Sequence, residues 1–301
     1  MQFLAAFAIM RVIKISERAM KKLFCLAYRE KDGAMAASRL ACLYAAGYTG
    51  VSLAPGEGSV SPALLASVRG AGLTAECLYM PSDCVNLLWQ ESPTLPLADD
   101  ALPTDGVARD DSAWQTLFAL YSSFFAFAHS IGIDRVVVLP AVGELQPTVT
   151  QVGVDRFRLL SDEAERQGVR LLFENDRSAP HFEAVVRACC TGYHGVCFSP
   201  TKAWRYFGSS MLPPYAARSL ARVRMDDQRG GVFGYLPFEG ETDLLPFARS
   251  LAAIDFEGYF AISPDAALTP YADVDEFAIA SRGYDRLFEL LRLVDREAGG
   301  R

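Results

Sequence analysis

Histidine is scarce in this chain. His129, His181 and His194 are the only three in 301 residues, which leaves few imidazoles for a metal centre. Basic runs are also missing: no Lys/Arg stretch exceeds two residues and the formal net charge is −7, which excludes the basic footprint of a nucleic-acid binder. The seven cysteines form no CxxC pair, and an odd number does not suit the even disulfide framework of a small secreted domain. They read as buried thiols in a reducing cytoplasm. The apolar opening Met1–Met10 is too short to span a bilayer and lacks the preceding positive charge of a signal peptide. No membrane or nucleic-acid role is therefore expected. There is no internal repeat, no low-complexity tract and no compositional break that would divide the chain.

What is present is an apolar, ordinary globular composition, 51% hydrophobic and 22% charged, with enough apolar surface for a sizeable core. Met20-Lys21-Lys22 directly precedes the first convincing strand, so residues 1–19 are read as an N-terminal extension, with Met10 or Met20 as the candidate natural start, and residues 20–297 as one domain. From Leu23 onward, short β-rich apolar runs alternate with helix-length amphipathic runs, the signature of βα units around a parallel sheet. The expected strands are Leu23–Tyr28, Gly50–Leu53, Leu73–Met80, Arg135–Leu139, Arg170–Glu174, Gly195–Ser199, Ala221–Met225 and Gly258–Ile262. Pro55, Pro81, Pro140, Pro200 and Pro264 follow five of them. Proline cannot donate to a ladder, so these prolines mark one rim of the sheet. The fold class is α/β, a single (β/α)8 TIM barrel, whose functional rim is the C-terminal one.

Val154, Phe157, Leu160 and Ala164 recur at helical spacing before the stop signal Gly168, predicting a helix that feeds the Glu174 strand. Ser112 to Ile131 is a longer helix whose Trp114, Leu117, Phe118, Tyr121, Phe124, Phe125 and Ala128 share a helical spacing suited to the core. Residues 90–111, rich in Pro, Asp, Ser and Thr, have no periodicity and read as a long rim loop, a candidate lid. Gly56-Glu57-Gly58 and Arg229-Gly230-Gly231 read as turns, with anion cradling as the alternative.

Polar residues gather at the ends of the later strands, in Leu171–Asp176, Val196–Lys202, Val223–Asp227 and Tyr259–Ser263. Together with Gly47–Val51, Ala164–Val169, Pro237–Asp243 and the Gly258-Tyr259 pair, taken in order, they make the chain resemble the xylose isomerase-like TIM barrels, the sugar phosphate isomerase/epimerase family. The resemblance spans roughly Leu23 to Leu293.

It implies one divalent cation (Mn, Mg, Co or Zn) held by a Glu ending strand 5, an Asp with a His three residues on after strand 6, a His on strand 7 and a Glu ending strand 8. Carried over, the first is Glu174, but the others fall at Ser199, Lys202, Arg224 and Ser263. Serine replaces a carboxylate poorly, and a guanidinium repels a cation. No metal and no other cofactor is therefore expected, and a divalent metal enters only if this ligand argument fails. The same change argues against the endonuclease branch, whose several zinc ions need more histidines than this chain has.

The expectation is that Lys202, in the loop beyond Pro200, or Arg224 fills the space of the cation beside Glu174. The implied chemistry is proton transfer next to a carbonyl in a sugar, sugar phosphate or sugar acid, with Glu174 as general base and Lys202 or Arg224 stabilising the enediolate. Asn175, Ser199, Asp227 and Ser263 would contact the substrate, and a homodimer follows by family habit. Two alternatives stand beside it: a non-catalytic barrel that binds a carbohydrate-like ligand or a partner, and a Schiff-base aldolase using Lys202.

Overall fold

In the computed structural model the described residues are 22–27, 33–54, 60–91, 111–254, 256–264, 271 and 273–299. The N-terminal extension, the Gly56-Glu57-Gly58 turn and nearly all of the 90–111 loop lie outside them.

The strands are β1 Lys22–Ala27, β2 Gly50–Ala54, β3 Thr74–Tyr79, β4 Arg135–Val138, β5 Arg170–Glu174, β6 Gly195–Phe198, β7 Leu220–Met225, β8 Asp227–Arg229, β9 Val232–Tyr235 and β10 Tyr259–Ile262. Eight of them close a barrel in the order β1-β10-β7-β6-β5-β4-β3-β2, and every ladder in it is parallel. All eight expected strands are there, with ends displaced by at most one residue. The helices between them are α1 Gly33–Ala45, α2 Pro62–Gly70, α3 Asp111–Ser130, α4 Gln151–Arg166, α5 Ala179–Cys189, α6 Pro200–Phe207, the short α7 Pro214–Ala217, α8 Leu245–Ile254 and α9 Glu276–Gly299.

Strand alternation divides the side chains into two sets. Leu78, Val136, Val138, Leu171, Phe173, Val196, Phe198, Val223, Met225, Phe260 and Ile262 join the main core between strands and helices. Cys77, Val137, Leu172 and Cys197 form a separate small cluster, with Tyr79 against it. Glu174, Arg222 and Arg224 share the inward parity of this second set, so the barrel interior changes from apolar to charged toward the C-terminal rim.

The helical faces behave as their spacing predicts. Leu117, Tyr121, Phe125 and Ala128 of α3 are buried, each large side chain contributing about 1.5–3 kcal/mol by leaving water. Phe157, Leu160 and Ala164 do the same for α4, and Gly168 closes that helix at φ 75°. Trp89 donates its Nε1 hydrogen to the Pro140 carbonyl at 2.7 Å and lies against Gly153 so closely that an added Cβ would meet its ring at 2.2 Å. Gly153→Ala is therefore expected to cost about 1–3 kcal/mol through overpacking, read as a lower urea midpoint with an unchanged slope; an unchanged midpoint would mean that Trp89 can move aside.

The hairpin β8–β9, antiparallel, is not among the strands expected from the sequence. Gly230 and Gly231, at φ 54° and 86°, form its two-residue turn, a conformation that favours glycine because both residues have positive φ. Arg229-Gly230-Gly231 is thus a turn.

Candidate functional site: an ion-pair cluster at the rim of the barrel

The register brings the inward polar residues side by side: Glu174 of β5 is level with Cys197 of β6, and Cys197 is level with Arg222 of β7. Glu174 is fully buried, and both its oxygens have partners. Oε1 accepts from Lys202 Nζ at 2.9 Å and from Arg224 Nη1 at 3.2 Å. Oε2 accepts from the Tyr79 hydroxyl at 2.9 Å and the Cys197 thiol at 3.3 Å, with Arg222 Nη1 at 3.8 Å. Arg222, also fully buried, crosses the barrel interior. Its Nη1 donates to the Tyr79 hydroxyl at 2.8 Å and to Cys197 Sγ at 2.9 Å, and its Nη2 to Ser52 Oγ on β2 at 3.1 Å.

Lys202 is not in a loop, as its place beyond Pro200 suggests. It lies in the first turn of α6, with Pro200 at the start of that helix and Ser199 as its N-cap. Its ammonium bridges Glu174 and Asp176, the second at 3.0 Å, and its side chain is 12% exposed. Arg224 is 24% exposed and Asp176 15%, so these three carry the cluster out to the surface while Glu174 forms its sealed floor.

Burial alone would raise the pKa of Glu174, but Lys202, Arg224 and Arg222 outweigh it and hold the carboxyl well below the usual carboxylate range. A carboxylate so held is a weak base. In this geometry Glu174 anchors the two rim cations. For Lys202, burial acts to lower the pKa, but Glu174 and Asp176 outweigh it and the net shift is upward. An amine kept protonated is a poor Schiff-base nucleophile, which argues against the aldolase alternative.

The four expected substrate contacts are placed differently. Asn175 is buried and clamps the Ser199 backbone, its Nδ2 donating to the Ser199 carbonyl at 2.9 Å and its Oδ1 accepting from Ser199 N at 2.7 Å. Ser199 Oγ accepts from Lys202 N at 3.2 Å, as the N-cap. Asp227 accepts from the backbone N–H groups of Gln228 at 2.8 Å, Gly240 at 2.8 Å and Thr242 at 3.0 Å; it fastens the 239–242 stretch to β8. In this structure the bonded polar atoms of these three engage backbone groups, so each fastens its own local structure. Ser263, half-buried, stands just beyond β10, its N–H bonded to the Met225 carbonyl at 2.9 Å.

Tyr79, Cys197 and Arg222 escape a reading of the sequence. The signal for Arg222 is nonetheless there: two arginines two apart in an otherwise apolar strand must share a face. The histidines lie away from the cluster's contacts. His194 is a buried link between Leu171 N and the Ser161 carbonyl, His181 bonds Ser178 Oγ and lies edge-on to Trp89, and His129 is exposed on α3.

This closed parallel barrel, with its charged C-terminal rim, has the fold of the xylose isomerase-like TIM barrels. Among solved structures it is similar to an L-ribulose 3-epimerase (TM-score 0.63, 13% identity, covering 93% of this chain and 97% of that one). It is similar too to a sugar phosphate isomerase/epimerase from Parabacteroides distasonis (0.62, 10%, 90% and 95%) and to the IolI protein with a bound zinc atom (0.63, 15%, 92% and 99%). No family model and no curated protein matches the chain.

The divalent cation implied by this fold does not fit the residues present. The ammonium of Lys202 already lies 2.9 Å from Glu174 Oε1, Ser199 Oγ is spent on its helix, and Arg224 brings positive charge where an imidazole would be needed. Among the described residues no three His, Cys, Asp or Glu side chains converge as a metal site, and no helix is long and apolar enough to cross a membrane.

Proposed function

We propose that this chain binds a sugar, sugar phosphate or sugar acid over the rim cluster and moves a proton next to the ligand's carbonyl, as a sugar isomerase or epimerase working without a divalent cation. The observation that carries this reading is the Lys202 ammonium and Arg224 guanidinium, both fixed on Glu174 Oε1 at 2.9 and 3.2 Å and both reaching the surface. Held there by a buried carboxylate, they need no reorganisation to stabilise an oxyanion. Asp176 is the carboxylate of the group that reaches solvent, and it is the proton carrier in this scheme. It breaks the C–H bond beside the carbonyl, the electron pair moves into the enediolate, Lys202 and Arg224 stabilise the negative oxygen, and the proton returns to the same or the neighbouring carbon. Glu174, Arg222, Tyr79 and Cys197 position the two cations from below.

A second reading, ligand binding without turnover, draws on the complete satisfaction of Glu174 by protein groups. The two are separated by incubating the protein with L-ribulose, D-fructose and D-glucuronate in D2O and following the carbonyl-adjacent C–H signals by NMR. Exchange that is lost in Asp176→Asn supports proton transfer. Exchange with none of them, combined with thermal stabilisation by at least one, would leave only binding, and silence in both assays would remove the sugar reading.

A further inference from the structure

One side of the barrel is nearly free of charge. α1, α2 and α3 follow β1, β2 and β3, which are neighbours in the barrel, so the three helices lie side by side on its outside. α1 packs on α2, Tyr44 of α1 stands over Gly72 just past α2, 2.9 Å from where a Cβ would be, and Arg69 of α2 donates to the Ile131 carbonyl just past α3 at 3.4 Å. Among the described exposed side chains of these helices Arg69 alone carries a formal charge, with His129 neutral. Elsewhere the helices differ: α4 exposes Asp155, Arg158, Asp162, Glu165 and Arg166, and α9 exposes Arg282, Asp285, Glu289, Arg292 and Arg296. A helix face that meets only water is ordinarily charged and polar.

The face has relief as well as neutrality. Tyr44 on α1 and Leu120 and Phe127 on α3 stand out from it, 58%, 53% and 36% exposed. Between those two helices α2 is nine residues long and turns Ala63, Ala66 and Gly70 outward, a low strip between two ridges. At 1.5 Å per residue and 8–10 Å between neighbouring axes, helices of 13, 9 and 20 residues present on the order of 600 Å² in projection. Side-chain relief brings the accessible area near the roughly 800 Å² that each partner gives to a stable interface. Depletion of charge with aromatic residues present is also what sets interface centres apart from other surface. Charge selects the occupant. A two-fold contact sets the patch against its own copy, which chains of net charge −7 could make through a charged face only against like-charge repulsion. This face has no described exposed acidic side chain to repel its copy, and little charge with which to pick out an acidic or a basic partner.

We propose that the chain associates with a second copy of itself through the outer face of α1, α2 and α3, as a two-fold dimer in which the ridge of α3, with Leu120 and Phe127, lies in the low strip over the other copy's α2. The rim cluster is built on β5, β6 and β7, across the barrel from β2 and β3, so both copies keep their rims open. The inference is independent of the rim chemistry, and failure of either reading leaves the other standing.

The test is analytical sedimentation of the full chain from about 1 to about 100 μM, since a reversible dimer responds to concentration. Expected is a dimer for the wild type. In Ala66→Arg and in Leu120→Arg the dimer is expected to weaken by at least about a hundredfold, because symmetry brings each new charge in twice and like charges across an interface repel. Arginine is a good helix former and both positions are exposed in the single chain, so the fold is kept, which circular dichroism checks. Leu159→Arg, at an exposed leucine of α4 outside the face, is expected to stay dimeric. Amide exchange of the unaltered protein gives a second reading that needs no variant: residues 37–45, 62–70 and 115–130 are expected to gain protection at the higher concentration, and α4 is not. A wild type that is monomeric at the highest concentration, a dimer that persists in both α2 and α3 variants, dissociation by Leu159→Arg as strong as by Leu120→Arg, protection gained only outside the three helices, or open-ended assembly beyond a dimer would each overturn the proposal.

Discussion

Glu174→Gln is expected to lower the unfolding free energy by about 3–5 kcal/mol, the range for breaking a buried ion pair by removing one partner. The reason is what remains. Arg222 is fully buried, and with Lys202 and Arg224 it faces Oε1 and Oε2 of this one side chain; an amide supplies no charge to compensate them. The pH dependence follows from the sign of the shift. Glu174 has a folded-state pKa depressed below its ordinary value of 4.5, so its contribution is fully present above that value and is lost as pH falls through the folded-state pKa. Urea unfolding at pH 7 and at pH 3 measures both effects: a large loss in Glu174→Gln at pH 7, and a flatter acid limb than the wild type. A loss below about 1 kcal/mol at pH 7, the scale of an exposed pair, would mean that water reaches the floor of the cluster. The apolar replacement Glu174→Leu with Arg222→Leu removes both charges together, and it is expected to cost less than Glu174→Gln alone if desolvation dominates.

The barrel could be read from the chain because its physical signals are local. Strands such as Arg170–Glu174 and Gly195–Phe198 are short apolar runs ended by polar residues or proline, and α4 has its stripe and its terminal glycine within one window. The hairpin β8–β9 lacks such a signal: Asp227–Arg229 is three polar residues, and its pairing depends on the two-glycine turn and on Asp227 gathering backbone N–H groups from 240 and 242.

The site was legible in part. Glu174 and Arg224 could be placed together because they lie at the ends of strands on one rim, and Lys202 because it follows shortly after the end of β6 on the same rim. The roles of Asn175, Ser199 and Asp227 could not be read, because a polar side chain near a rim can serve its own backbone as well as a ligand, and only geometry separates the two. Arg222 is passed over for a different reason: a buried arginine is improbable on composition grounds, and its stability here depends on Glu174, Tyr79, Cys197 and Ser52 arriving from four other strands. No local pattern encodes that convergence.

The rim cations give the second large effect. Gluconate at about 100 times its Kd is expected to raise the unfolding free energy of the wild-type protein by about 2.7 kcal/mol, and this stabilisation is expected to vanish in Lys202→Met and in Arg224→Met. Each variant retains Arg222 beneath Glu174, so the floor keeps one cation, and the comparison is made on ligand-induced shifts rather than on absolute stability. Mn²⁺ belongs in the same thermal-shift panel. The wild type is expected to show no Mn²⁺ stabilisation, because the ammonium on Glu174 Oε1 and the guanidinium of Arg224 repel a second cation at the same carboxylate. Wild-type stabilisation by Mn²⁺ would return the site to the metal chemistry of its fold. Gluconate stabilisation that persists in both methionine variants would place the ligand elsewhere on the barrel. Loss in one variant alone would identify which of the two cations meets the anion, and so orient the ligand with respect to Asp176.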